Sequence, residues 1–184
     1  MSSMTTMLLA LVLSYVPLQP MPPAAAQERA AGPRNVAVLV FDGMEILDFA
    51  GPGEVFAAAG PAFNVYTVAA KSAPILSQRF VTITPRYTIN DAPTPDILVI
   101  PGGGMRAVIA NAELMKWIGD SSRRAEIVLT VCTGAFALAE TRLLDGLEAT
   151  TWHGAIDSFR SAHPKVTVRE QVRFVDNGKF ITTA

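Results

Sequence analysis

The chain carries one cysteine, Cys132, among 184 residues, so no intramolecular disulfide can form. It has two histidines, His153 and His163, with no short spacing to each other or to the cysteine, and no metal site is expected. Basic residues are in no excess: 15 Lys and Arg face 16 Asp and Glu, and the longest basic cluster is Arg123-Arg124. A phosphate backbone would find no positive field, so nucleic acid is not an expected partner. The apolar stretch from Met7 to Val16 is too short to cross a bilayer as a helix. No Gly-Lys-Ser/Thr follows the glycine turn at Gly102-Gly103-Gly104, which excludes a phosphate loop. No internal repeat is found.

Charge is absent from residues 1–26 altogether. A short apolar stretch there leads to Ala24-Ala25-Ala26, ahead of Gln27-Glu28-Arg29. This is the pattern of a secretory signal cleaved after Ala26, followed by a linker over 27–34. It predicts a periplasmic or secreted protein with no stable membrane anchor after cleavage. The alternative is a disordered Pro/Ala-rich leader behind a misplaced start codon.

What remains is a chain of 50% hydrophobic and 17% charged residues, enough to build the core of one domain. Near-continuous apolar runs at 35–41, 63–69, 96–100 and 127–131 read as strands covered on both faces. Between them lie helical patterns. Glu45 to Ala59 has helical spacing broken by Gly51-Pro52-Gly53, so a helix is expected to start at Pro52. Asn111 reads as the N-cap of a helix to Arg124, and further helices follow Cys132 and span 156–162. Residues 79–89 suggest a short extended excursion. Asp176-Asn177-Gly178-Lys179 reads as a hairpin turn into Phe180–Thr183. Apolar strands alternating with helices predict an α/β fold: a doubly wound, mostly parallel sheet with helices on both faces. Sites in such sheets lie at the carboxyl ends of strands, where Asp42, Gly102–Gly104 and Cys132 all fall.

Cys132 ends the apolar run Ile127–Val131 and precedes a helix start, the plan of a nucleophile elbow. The helix N-terminus is expected to favour its thiolate; the plain alternative is a small buried hydrophobe. The N–H groups of Gly103 and Thr133 are candidate oxyanion donors, unless the glycines merely form a flexible turn. Asp48 and Glu54 flank Gly51-Pro52-Gly53, and either carboxyl can move a proton to or from a nearby thiol; otherwise they cap a helix or face solvent. His153 is a candidate base or orienting group, or an ordinary rim histidine. His163, beside Pro164, is expected to be structural.

These residues resemble a known family. Val131-Cys132-Thr133-Gly134-Ala135, Ile100-Pro101-Gly102-Gly103 and Leu47-Asp48-Phe49-Ala50-Gly51-Pro52 with Glu54-Val55-Phe56 are similar to the ThiJ/PfpI family, a branch of the class I glutamine amidotransferase-like superfamily. The resemblance covers 35–184 and implies a flavodoxin-like fold. The Asp-Phe-Ala-Gly-Pro variant resembles isonitrile hydratases and the sensor domains of some transcription regulators. The resemblance implies Cys132 as nucleophile, Asp48 as its acid/base partner, Glu54 as a supporting carboxyl, and Thr133 and Gly103 as oxyanion-type donors. It implies no cofactor, a small-molecule substrate and a homodimer. The expected activity is a cysteine-dependent hydratase or hydrolase turning an isonitrile into an N-substituted formamide; the alternative is a non-enzymatic ligand or redox sensor. Two departures are legible. His153 is followed by Gly154-Ala155 rather than the amidotransferase His-x-Glu, which speaks against glutamine hydrolysis. Trp152 stands directly after Thr150-Thr151, where the isonitrile hydratase-like pattern has histidine, and a one-residue shift in an extended segment turns a side chain to the other face. The family also continues with a turn and a helix beyond Ala184, so the domain is expected to lack its C-terminal helix.

Overall fold

The computed structural model describes residues 32–184; the expected signal sequence, the expected cleavage after Ala26 and most of the expected linker lie outside the described residues. The first strand, β1 (Arg34–Leu39), is followed by helix α1 (Ile46–Ala58) and strand β2 (Phe63–Ala69). A small hairpin of β3 (Ile75–Ser77) and β4 (Val81–Ile83) comes next, then β5 (Tyr87–Thr88) at the edge of the main sheet. β6 (Ile97–Ile100) leads through helices α2 (Met105–Ala110) and α3 (Ala112–Arg124) into β7 (Ile127–Val131) and α4 (Gly134–Glu140). The chain closes with β8 (Glu148–Ala149), a 3-10 turn at His153–Ala155, α5 (Ile156–Ala162), β9 (Thr167–Val168), β10 (Phe174–Asp176) and β11 (Phe180–Thr183).

The seven-stranded sheet runs β10-β11-β7-β6-β1-β2-β5, parallel throughout except for the antiparallel β10–β11 hairpin. This is a flavodoxin-like α/β architecture. Alternation along the central strands sorts their side chains onto two faces. Ala37, Leu39, Leu98 and Ile100 join a core with Val108, Leu114, Ile118, Ala135 and Leu138 from α2, α3 and α4. Val36, Val38, Ile97 and Val99 face the other way, against Phe49 and Phe56 of α1. Each such large apolar side chain stabilises the fold by about 1.5–3 kcal/mol when fully buried.

α1 corrects the sequence expectation. It begins at Ile46 and runs through Pro52 without a break. Proline removes only the one N–H that would bond the Asp48 carbonyl. Phe49 and Phe56, on either side of it, pack on the same sheet face, so tertiary contacts carry the helix past its weakest position. The consequence is functional, because Asp48 now lies in the helix's first turn. α3 matches expectation, with the Asn111 side chain accepting from the Leu114 N–H at 3.1 Å.

Candidate active site

Cys132 sits between β7 and α4 with φ of +55°, a left-handed conformation that a non-glycine residue holds only when its surroundings impose it. Its N–H donates to the Thr183 carbonyl at 3.1 Å, and its carbonyl accepts from Thr151 Oγ1 at 2.8 Å. Thr150 is tied in turn, its N–H donating to Thr182 Oγ1 at 2.9 Å. The elbow is thus pinned by β11 on one side and by the Thr150-Thr151 pair on the other.

Asp48 reaches the elbow from α1. The Gly102 N–H donates to its Oδ2 at 3.0 Å, and the Cys132 thiol hydrogen-bonds the same carboxylate. A Cβ on Gly102 would lie 2.7 Å from both Asp48 Oδ2 and Cys132 Cβ, so only glycine leaves room for acid and thiol to meet. The loops that carry these groups are zipped together: the Glu45 N–H donates to the Gly102 carbonyl at 3.0 Å, and the Gly104 N–H to the Gly43 carbonyl at 3.1 Å.

Thr133 supports the sulfur with its N–H and hydroxyl. The Gly103 N–H donates to Thr133 Oγ1 at 2.9 Å. The structure therefore brings Gly103 to the site but finds its donor engaged by Thr133 rather than pointing at an open oxyanion position.

The thiol titrates in the opposite direction from the sequence expectation. Burial pushes its pKa up first; the Asp48 charge and hydrogen bond add to this, and the Thr133 hydrogen bonds oppose it without reversing it. Burial also raises the Asp48 carboxyl, against the Gly102 and thiol hydrogen bonds. Both groups therefore titrate above their ordinary values, burial being the leading cause for each, and the two interact as a pair.

Cys132, Asp48 and Thr133 open onto a cleft of about 550 Å³, together with Gly43, Glu45, Gln78, Gly103, Gly104 and Trp152. Two expected residues are not there. Glu54 is exposed and lines a separate groove with Phe49, Tyr66 and Arg86. Six residues at about 100° each place it well round the helix from Asp48, so one helix cannot aim both at the thiol. His153 is also exposed and lines a pocket with Thr151, Asp157 and Glu170. The one-residue shift decides it: Trp152 faces the cleft, and His153 stacks edge-on behind its ring, centroids 5.3 Å apart. Asp42, expected on the same rim, turns away to accept from the Leu76 N–H at 2.8 Å. His163 packs against Phe136 and Phe159, away from the thiol.

Glu45 and Gln78 were missed by sequence reasoning. Glu45 stands just before α1, a position legible only once the helix start is placed. Gln78 comes from the turn of the β3–β4 hairpin and carries no local signal. No group of three or more His, Cys, Asp or Glu among the described residues is arranged to hold a metal ion.

A parallel α/β sheet with a cysteine elbow and a facing carboxylate defines the class. The chain belongs to the DJ-1/PfpI family, whose model matches residues 34–184. Among relatives, a Streptomyces lividans protein known only as lying in the cpoL 5' region is 37% identical over 128 residues, covering 66% of this chain and 89% of that protein. The isonitrile hydratase of Pseudomonas putida is 29% identical over 149 residues, covering 80% of this chain and 64% of that enzyme. A solved ThiJ/PfpI family protein from Pseudomonas syringae superposes with a TM-score of 0.74 at 27% identity, covering 91% of this chain and 69% of that one.

Proposed function

We propose that the protein is a cysteine-dependent hydratase of a small carbon electrophile, isonitrile-like, forming an N-substituted formamide. The observation that carries this reading is the thiol–carboxylate hydrogen bond of Cys132 and Asp48 at the floor of an open cleft. Asp48 takes the thiol proton as Sγ attacks the terminal isonitrile carbon. It then delivers that proton to the same carbon, giving a thioimidate. Water adds to the thioimidate carbon while nitrogen takes a proton. The C–S bond breaks, the formamide leaves and the thiol recovers its proton. The Thr133 N–H steadies negative charge on sulfur in the first and last steps. The likeness to the Pseudomonas putida enzyme supports the substrate class.

The test is direct. The full chain with an alkyl isonitrile should release the N-alkylformamide, read by proton NMR. Cys132→Ala should abolish turnover, and Asp48→Asn should lower kcat by about 10²-fold or more. Full turnover in Cys132→Ala would remove the reading.

One observation favours a second reading, a ligand-sensing pocket. The Gly103 donor is already satisfied by Thr133, which reversible binding tolerates better than catalysis does. Saturable binding of an electrophile without product would support the sensor.

We also propose export to the periplasm or beyond, and a homodimer. Leu47 and Val55 of α1 are 81% and 69% exposed, and with Gly51 they fall on one side of the helix at i, i+4, i+8. That apolar stripe fits a second copy of the chain. Analytical ultracentrifugation should show a dimer, shifted to monomer by Leu47→Glu with Val55→Glu.

A further inference from the structure

The polar lining of the cleft has one sign. Of its nine residues two are carboxylates, Glu45 and Asp48, one is an indole, one is an amide, and none is basic. Arg79 follows Gln78 in the hairpin turn but does not line the cleft, and Lys71 lines a different cavity with Phe41 and Leu114. Asp48 is committed to the thiol and to Gly102. Glu45 is not committed in that way. It occupies the N-cap position of α1 yet makes no side-chain capping bond. Its Oε1 instead accepts from Gln78 Nε2 at 2.5 Å, which holds the carboxylate at the cleft wall.

Trp152 lines the same cleft. A Cβ on Gly154 would lie 2.5 Å from a ring carbon, so the absent side chain lets the indole lie against the backbone. Trp152 remains 45% exposed. An indole face attracts a cation, and a carboxylate lining the same cleft adds to that attraction.

We infer that the cleft selects a substrate whose non-reacting end carries a positive charge, an ammonium group seated between the Glu45 carboxylate and the Trp152 ring. The inference rests on the reading of this cleft as the substrate pocket and names the class of electrophile it takes. A neutral substituent gains neither contact. An anionic one meets two carboxylates.

The test needs no turnover, so its failure is distinct from failure of the hydratase reading. Methanethiosulfonates convert a thiol to a mixed disulfide and release methanesulfinate. The full chain is treated with the trimethylammonioethyl and the sulfonatoethyl reagents, and the rate ratio is divided by that for N-acetylcysteine. The normalised cation-over-anion ratio should be about 10-fold or more, from one ring contact and one partly exposed ion pair. Glu45→Gln should lower it by about three-fold and Trp152→Leu by about two- to three-fold, the latter through the cationic reagent alone. Raising salt should shrink the Glu45 share. A normalised ratio near one overturns the inference. So does a high ratio that survives both substitutions, since the selectivity would then belong to Asp48 alone.

Discussion

The elbow and the Thr150–Gly154 segment border the same cleft and are held by different means. At the elbow the backbone leaves no choice. Cys132 is fixed at φ +55° by hydrogen bonds on both sides, and Gly102 has no space for a side chain. In the second segment Thr150 and Thr151 are anchored, but Trp152 and His153 beyond them are exposed and hold their places by ring contacts. Backbone geometry thus sets the reacting groups, while freely exchangeable side chains set what lies across from them. Chemistry and selectivity are separable here because different kinds of force maintain them.

The largest expected effect breaks the rigid side. Gly102→Ala drives a methyl between Asp48 and Cys132, and should cut turnover by about 10²-fold or more. The same methyl would lie 2.8 Å from the Thr133 backbone nitrogen, so the elbow must shift and Tm should fall as well, while far-ultraviolet circular dichroism at room temperature reports whether the sheet survives. Unchanged turnover would show that the acid and thiol need not meet.

Asp48→Asn separates function from stability through pH. Burial raises the folded carboxyl above its ordinary 3.8, so its stabilising share is complete below 3.8 and is lost as pH rises through the folded value. Above the folded value the ionised group is therefore a cost. The asparagine variant should melt above the native protein at neutral pH, with the gain gone once the pH falls below about 3.8. Removing the carboxylate also removes one cause of the raised thiol pKa, so the iodoacetamide alkylation midpoint should fall. A midpoint that rises would mean the carboxyl lends its proton rather than its charge.

Thr151→Val keeps the shape and removes the bond to the Cys132 carbonyl. Leaving that acceptor unpaired should cost about 1–2 kcal/mol, a drop in Tm of about 3–6 °C. An unchanged Tm would show the elbow to be held by Thr183 alone. The smallest effects are expected at Glu54→Gln and His153→Ala, each within about two-fold of native turnover and about 0.5 kcal/mol of native stability. A large loss at either would bring that residue back into the site.

Much of this was legible in advance. Ile127–Val131 and Phe63–Ala69 announce themselves as continuous apolar runs because both sheet faces are covered. Asn111 announces α3 because a cap is a local interaction. The start of α1 was misplaced because packing of Phe49 and Phe56 overrides a local proline penalty. That error hid which carboxylates share a face, and so admitted Glu54. The direction of the thiol's titration was misread because it sums burial and neighbouring charge, neither of which is a property of the elbow itself.

By itself the chain determined its sheet and its elbow, since these follow from short-range hydrophobic period and motif spacing; the pairing of Cys132 with Asp48 came only as an implication of the family resemblance. Only the tertiary structure decided that Trp152 rather than His153 enters the cleft, that Glu45 faces it, and that burial pushes the thiol's pKa up. Those outcomes depend on which residues distant in sequence come within a few ångströms, and on how much water is excluded when they do.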